Sequence, residues 1–243
     1  ACINSVGALL LGTTTHSNLE NLHIHTASSD KAIIKFTNTG TGQGTGDGFE
    51  FGLNSNEDVE LMLKENHDII FGTGATLAER LRINSTGKLL IGHSSPISVG
   101  VGAAYNMPLQ VIGNSYDTAG IVAARYAADA NGPTMHFVKS RNATKGSQTI
   151  VQVDDTLGFI RWYGSDGTDT TNAAAMIGGY CDATPASDKI PGRLSFWTTD
   201  TLTYPRERMR LDSSGRLYLG SDFTGGNGDV DDFVISGTGN KGI

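Results

Sequence analysis

The sequence predicts an all-β fold built from tandem modules of short strands and hairpins. Three observations carry that expectation. Gly is frequent (32 residues) and Pro scarce (6), with Thr, Ser, Asn and Asp in short clusters between apolar runs. Gly accepts positive φ, and Asn, Asp and Ser bond their own backbone, so this composition implies many tight turns and many short strands. Period-2 alternation recurs, as in Phe49, Phe51 and Leu53 and again in Val59, Leu61 and Leu63. Finally, a ten-residue unit occurs three times: INSVGALLLG at 3–12, INSTGKLLIG at 83–92 and LDSSGRLYLG at 211–220.

The repeated unit reads as a β-hairpin. The last two copies follow near-identical flanks, Glu79-Arg80-Leu81-Arg82 and Glu207-Arg208-Met209-Arg210, in which charged and apolar residues alternate as in a half-buried strand. Asp212-Ser213-Ser214-Gly215 then suits a type I turn with Gly in the left-handed position, and Leu217-Tyr218-Leu219 is the returning strand. Gly87 and Gly215 are therefore expected at positive φ. A second unit follows each hairpin: Leu22-His23-Ile24, Leu109-Gln110-Val111 and Phe233-Val234-Ile235. Each precedes a small residue plus Ile, at Ala32-Ile33, Gly120-Ile121 and Gly242-Ile243.

These units divide the chain into 1–12, the end of one module; 13–92, a complete module; 93–220, a longer module with an insertion at about 139–200; and 221–243, the start of another. Further strands are expected at 68–71, 135–139, 149–153, 159–163 and 193–197, with turn-rich loops at 39–48 and 164–172. Residues 121–128 have helical propensity, but their counterpart in the earlier module, Ile33-Ile34-Lys35-Phe36-Thr37, is strand-like, so 120–126 is assigned as a strand. The chain starts without Met, in mid-pattern, and reads as a fragment.

Composition excludes several classes. The net charge is −7 with no basic run, so nucleic acid has no electrostatic footprint. No apolar stretch approaches the roughly 20 residues that cross a bilayer, and residues 1–15 lack the basic start of a signal peptide. Cys2 and Cys181 form neither a disulfide framework nor a zinc site and read as free buried thiols. Hydrophobic residues make up 38%, a small core for one chain, which points to a core shared between chains.

Against that background, Lys139-Ser140-Arg141, Gly146-Ser147-Gln148-Thr149-Ile150-Val151-Gln152, Asp155-Thr156-Leu157-Gly158, Gly164-Ser165-Asp166-Gly167-Thr168-Asp169, Pro191-Gly192-Arg193-Leu194 and the run from Glu207 to Gly215 resemble, in that order, a module of bacteriophage tail-fibre proteins of the marine and cyanophage type. Asp47-Gly48-Phe49, Ile70-Phe71-Gly72-Thr73 and residues 79–87 resemble another variant of the array. The resemblance implies an elongated, intertwined homotrimeric fibre in the virion. Its implied partners are other tail or baseplate proteins and a glycan or protein receptor on the host surface. A fibre on the capsid or baseplate, or a tailspike polysaccharide depolymerase, are the alternatives. Many such fibres end in a self-cleaving chaperone domain, which no part of this chain resembles. In such a trimer Leu81, Ile83, Leu89, Met209, Leu211 and Leu217 would lie near the axis or between subunits. Arg82 and Arg210 would face solvent or pair with acids of a neighbouring chain.

No residue is assigned a catalytic role, a metal or a cofactor. His23 and His25 share one strand face, so three chains could offer six imidazoles to an octahedral metal, but their counterparts Gln110 and Ile112 bind none. Asp154, Asp155, Asp166, Asp169 and Asp182 lack EF-hand spacing and read as turn residues. Glu79 and Glu207 occupy a repeated position beside two Arg, which suits ion pairing across strands or subunits better than a glycosidase pair. No Gly-x-Ser-x-Gly or phosphate loop occurs. Trp162, Tyr163, Tyr180 and Trp197, in the insertion, are the candidates for glycan contact, since aromatic faces stack on sugar rings.

Overall fold

The computed structural model describes residues 2–3, 9–11, 22–76, 78–100, 105–201 and 204–220. Among these the fold is all-β, with four sheets and no helix. The chain divides into two compact units, Ala1–Ser95 with Pro108–Ala119, and Pro96–Met107 with Gly120–Ile243.

Three sheets belong to the first unit. In the first sheet β1 (Cys2–Ile3) and β2 (Leu9–Leu11) pair antiparallel, and β3 (Leu22–Ile24) lies parallel to β2 with His23 beside Leu10. The second is the meander β4 (Ala32–Phe36), β5 (Phe49–Leu53) and β6 (Val59–Leu63). The third joins β7 (Ile69–Thr73), β8 (Ala78–Ile83) and β9 (Leu89–Ile91) as antiparallel neighbours, then adds β10 (Leu109–Val111) parallel to β9. The second unit of the repeat is thus a parallel strand laid along the hairpin. It does so twice, with His25 N–H donating to Leu11 C=O at 2.7 Å and Ile112 N–H to Ile91 C=O at 3.0 Å. Its third copy, at 233–235, lies outside the described residues, as does Gly242-Ile243.

The second unit holds the fourth sheet, an antiparallel run of β11 (Thr156–Tyr163), β12 (Ala173–Cys181), β13 (Gly192–Thr198), β14 (Arg206–Leu211) and β15 (Leu217–Leu219).

The two repeated hairpins close identically. Gly87 N–H donates to Asn84 C=O and Gly215 N–H to Asp212 C=O, with φ of 78° and 77°. The side-chain oxygen of Asn84 accepts from Thr86 and Lys88 N–H, and that of Asp212 from Ser214 and Arg216 N–H. Left-handed backbone disfavours a Cβ, which is why Gly stands there. A third copy of this loop joins β5 to β6. Asn54 plays the Asn84 part, bonding Asn56 and Asp58 N–H, while Glu57 takes the left-handed position at φ 68°. Sequence comparison by the Gly missed it; the Asn-Ser pair shared by 54–55 and 84–85 was the available signal.

Three expected strands are absent. Residues 120–126 form no strand, and neither do 135–139 and 149–153. The counterpart of 120–126 in the earlier module is β4, which β5 holds along its whole length, whereas the later segment bonds no other backbone among the described residues. Residues 135–139 and 149–153 flank a turn in which Arg141 N–H donates to Thr149 C=O and Ser140 Oγ accepts from Thr149 N–H, but the ladder goes no further. Conversely, β12 was not expected. Its sequence, AAAMIGGYC, has neither alternation nor β-branched density. It is central in its sheet, where flanking strands define it whatever its propensity. Small residues also suit it, since a Cβ at Gly178 would strike the Phe159 and Tyr180 rings.

Little is buried. Among the described residues the buried apolar side chains are Leu90, Val151, Ala173, Met176, Tyr180 and Cys181. Cys181 is a free thiol with no exposure; the side chain of Cys2 is outside the description.

Candidate functional site

Strand pairing sorts the side chains of three sheets into one predominantly apolar face and a reverse that carries the charged residues, because directly opposed residues point the same way and successive residues alternate. In the second sheet Ile34, Phe51 and Leu61 stand in one row, between the rows Ala32, Leu53, Val59 and Phe36, Phe49, Leu63. That face is wholly apolar and open, with Phe36 59%, Phe51 44% and Val59 68% exposed. Its reverse carries Lys35, Glu50, Glu60 and Met62. Glu50 is buried there against Lys64 Nζ at 2.8 Å, and that bond holds its carboxyl below the ordinary range.

The same division repeats in the hairpins. Leu81, Ile83, Leu89 and Ile91 share the apolar face of the third sheet with Phe71, Leu109 and Val111. Met209, Leu211, Leu217 and Leu219 share that of the fourth with Leu194, Phe196, Ile177, Ile160 and Trp162. None of these side chains is buried. The sequence expectation singled out Leu81, Ile83, Leu89, Met209, Leu211 and Leu217, and all six stand on these faces, at equivalent positions of the two hairpins.

The charged residues are placed otherwise than expected. Within this chain Glu79 and Glu207 pair along their own strands and not across to a neighbouring strand. Arg82 Nε donates to Glu79 Oε1 at 2.7 Å and Arg210 Nε to Glu207 Oε1 at 2.7 Å, three residues along the same strand. In a regular strand residues three apart point to opposite faces. A β-bulge shifts the phase: opposite Phe71-Gly72 the register jumps from Leu81 to Glu79, and opposite Phe196-Trp197 from Met209 to Glu207. One residue, Arg80 or Arg208, is left over, and each Glu swings to its Arg. Arg82 also bonds Asp68, and these bonds lower the pKa of Asp68 and Glu79. Arg82 and Arg210 are therefore engaged with acids of their own chain. No unpaired acid dyad results.

The four aromatic candidates do not converge. Tyr180 and Trp197 lie on the polar face of the fourth sheet and Trp162 on the apolar face. Tyr163 lies past a bulge in the β11–β12 register. Tyr180 is buried, with the Arg193 guanidinium 4.7 Å above its ring and Phe159 edge-on at 5.7 Å. Burial, and then the charge of Glu207, raise its phenol pKa. Trp162 is half exposed.

The His23 and His25 rings stand 6.0 Å apart beside a polar groove that Asn54 and Glu57 also line. Among the described residues no three His, Cys, Asp or Glu side chains gather as a metal cluster. The aspartates serve turns and ion pairs. Asp166 accepts from Thr168 and Asp169 N–H, Asp155 pairs with Arg141 at 2.6 Å, Asp154 pairs with Arg193 at 2.8 Å, and Asp182 accepts from Ser213.

No protein-family model matches this chain, and no curated protein matches it. Among solved structures, the carboxy-terminal domain of the bacteriophage T5 L-shaped tail fibre is similar at a TM-score of 0.45 and 14% identity, over 99% of this chain and 96% of that one.

Proposed function

We propose that the chain is a structural subunit of a virion fibre, a phage tail fibre, that works as a homotrimer and supports attachment to the host surface. One observation carries this reading: three sheets each keep a predominantly apolar face open while their reverse faces carry the ion pairs. Open faces of this extent are uncommon on a finished monomer and mark surfaces awaiting a partner. Because the faces recur at equivalent hairpin positions, one axial arrangement of identical chains can cover them in series. Sequence resemblance to tail-fibre modules supports the virion setting, other tail or baseplate proteins as neighbours, and a glycan or protein receptor. The chain has no enzymatic role in this reading, since Glu79 and Glu207 are each neutralised by an Arg of their own strand.

Mass measurement in solution on the full-length protein tests the assembly. A trimer is expected, and a stable folded monomer overturns it. Competition by the purified protein against adsorption of the virus to host cells tests the attachment role.

A further inference from the structure

We infer that residues 120–126 and 135–139 are strands that form only by pairing with a second copy of this chain. The inference rests on the homotrimer reading and adds which backbone crosses between copies. From Ala119 to Ser140 no backbone amide or carbonyl bonds another backbone group, though all these residues are described. Their apolar side chains stand mostly in water, with Ile121 73%, Val122 88%, Tyr126 97%, Met135 74% and Val138 87% exposed, while Phe137, 53% exposed, lies against Gly158 of β11. The module counterpart of the first segment, β4, is a strand.

The two segments are also prearranged. Arg125 Nη1 donates to Asp129 Oδ1 at 2.5 Å and to Asn131 C=O at 2.6 Å, tying the bend that separates them. Strand-forming backbone left without partners calls for a sheet edge, and open edges exist. β11, eight residues long, ends its sheet, as β4 and β6 end theirs.

The occupant follows from number. Every copy offers both an unpaired segment and unpaired edges, so identical copies satisfy each other one for one, and a closed ring leaves none over.

Two measurements on the full-length assembled protein test this. Hydrogen exchange should find the amides of 120–126 and 135–139 slowed about a hundredfold or more over free-peptide rates, approaching those of β12. A photo-crosslinker placed at Val122, in assemblies formed from mixed light and heavy isotope chains, should join light to heavy. Free-peptide exchange within a trimer, or crosslinks confined to one isotope, overturns the inference and leaves the oligomer reading standing. A monomer overturns both.

Discussion

Replacing Phe51 by Ala tests the shared core most directly. Phe51 is central in the second sheet, between Ile34 and Leu61, and is 44% exposed in the single chain. A Phe side chain presents roughly 200 Å², so about 90 Å² awaits a neighbour. At about 25 cal/mol per Å², covering it contributes about 2 kcal/mol per copy, or about 6–7 kcal/mol over three copies. The association constant should then fall by about four to five orders of magnitude. Sedimentation over a dilution series, with urea to reach the dissociating range, reads this directly. Glu60→Gln, on the opposite face and paired with the exposed Lys31, is the control and should leave dissociation unchanged. If Phe51→Ala shifts the curve no further than Glu60→Gln, the apolar face stays in water and the reasoning fails.

The remaining predictions concern the hairpins. Gly87→Val and Gly215→Val, at φ 78° and 77°, should each destabilise by about 1–2 kcal/mol in chemical denaturation. Glu57→Gly, at φ 68°, should instead stabilise by about 0.5–1 kcal/mol, and a loss would contradict the shared loop geometry. Because the hydrogen bond from Arg82 lowers the Glu79 pKa in the folded state, its stabilisation is present above the unfolded value of about 4.5 and fades as pH falls through the folded pKa. Glu79→Gln should therefore flatten the acid limb of the stability profile. Glu79→Gln and Glu207→Gln should change stability or assembly and no turnover; polysaccharide cleavage that disappears with either would assign a catalytic role after all.

What was legible in the sequence was local. The hairpin turns were readable because Gly87 and Gly215 and the Asn84 and Asp212 before them dictate one loop geometry. Alternation placed Phe49–Leu53 and Val59–Leu63 as strands and chose their apolar face. The bulges were not legible, since Arg80 and Arg208 are unremarkable in composition and only the partner strand reveals that one residue too many is opposed. Hence the Glu–Arg pairs were sought on other strands. β12 escaped because its small residues answer to Phe159 and Tyr180 on it, not to backbone preference. Residues 120–126 erred the other way: their repeat counterpart is a strand, but a strand also needs an edge, and among the described residues they pair with none.

In the proposed trimer the open faces also govern how the molecule is made. A reaction that needs three chains to meet has a rate rising with concentration more steeply than first order, while each solitary chain meanwhile offers the edges β4, β6 and β11 to any β-prone neighbour. Refolding yield should therefore pass through a maximum: too dilute and encounters are too slow, too concentrated and disordered aggregates outrun the trimer. Chains that emerge close together in space escape that compromise, because their local concentration is high while the bulk concentration stays low.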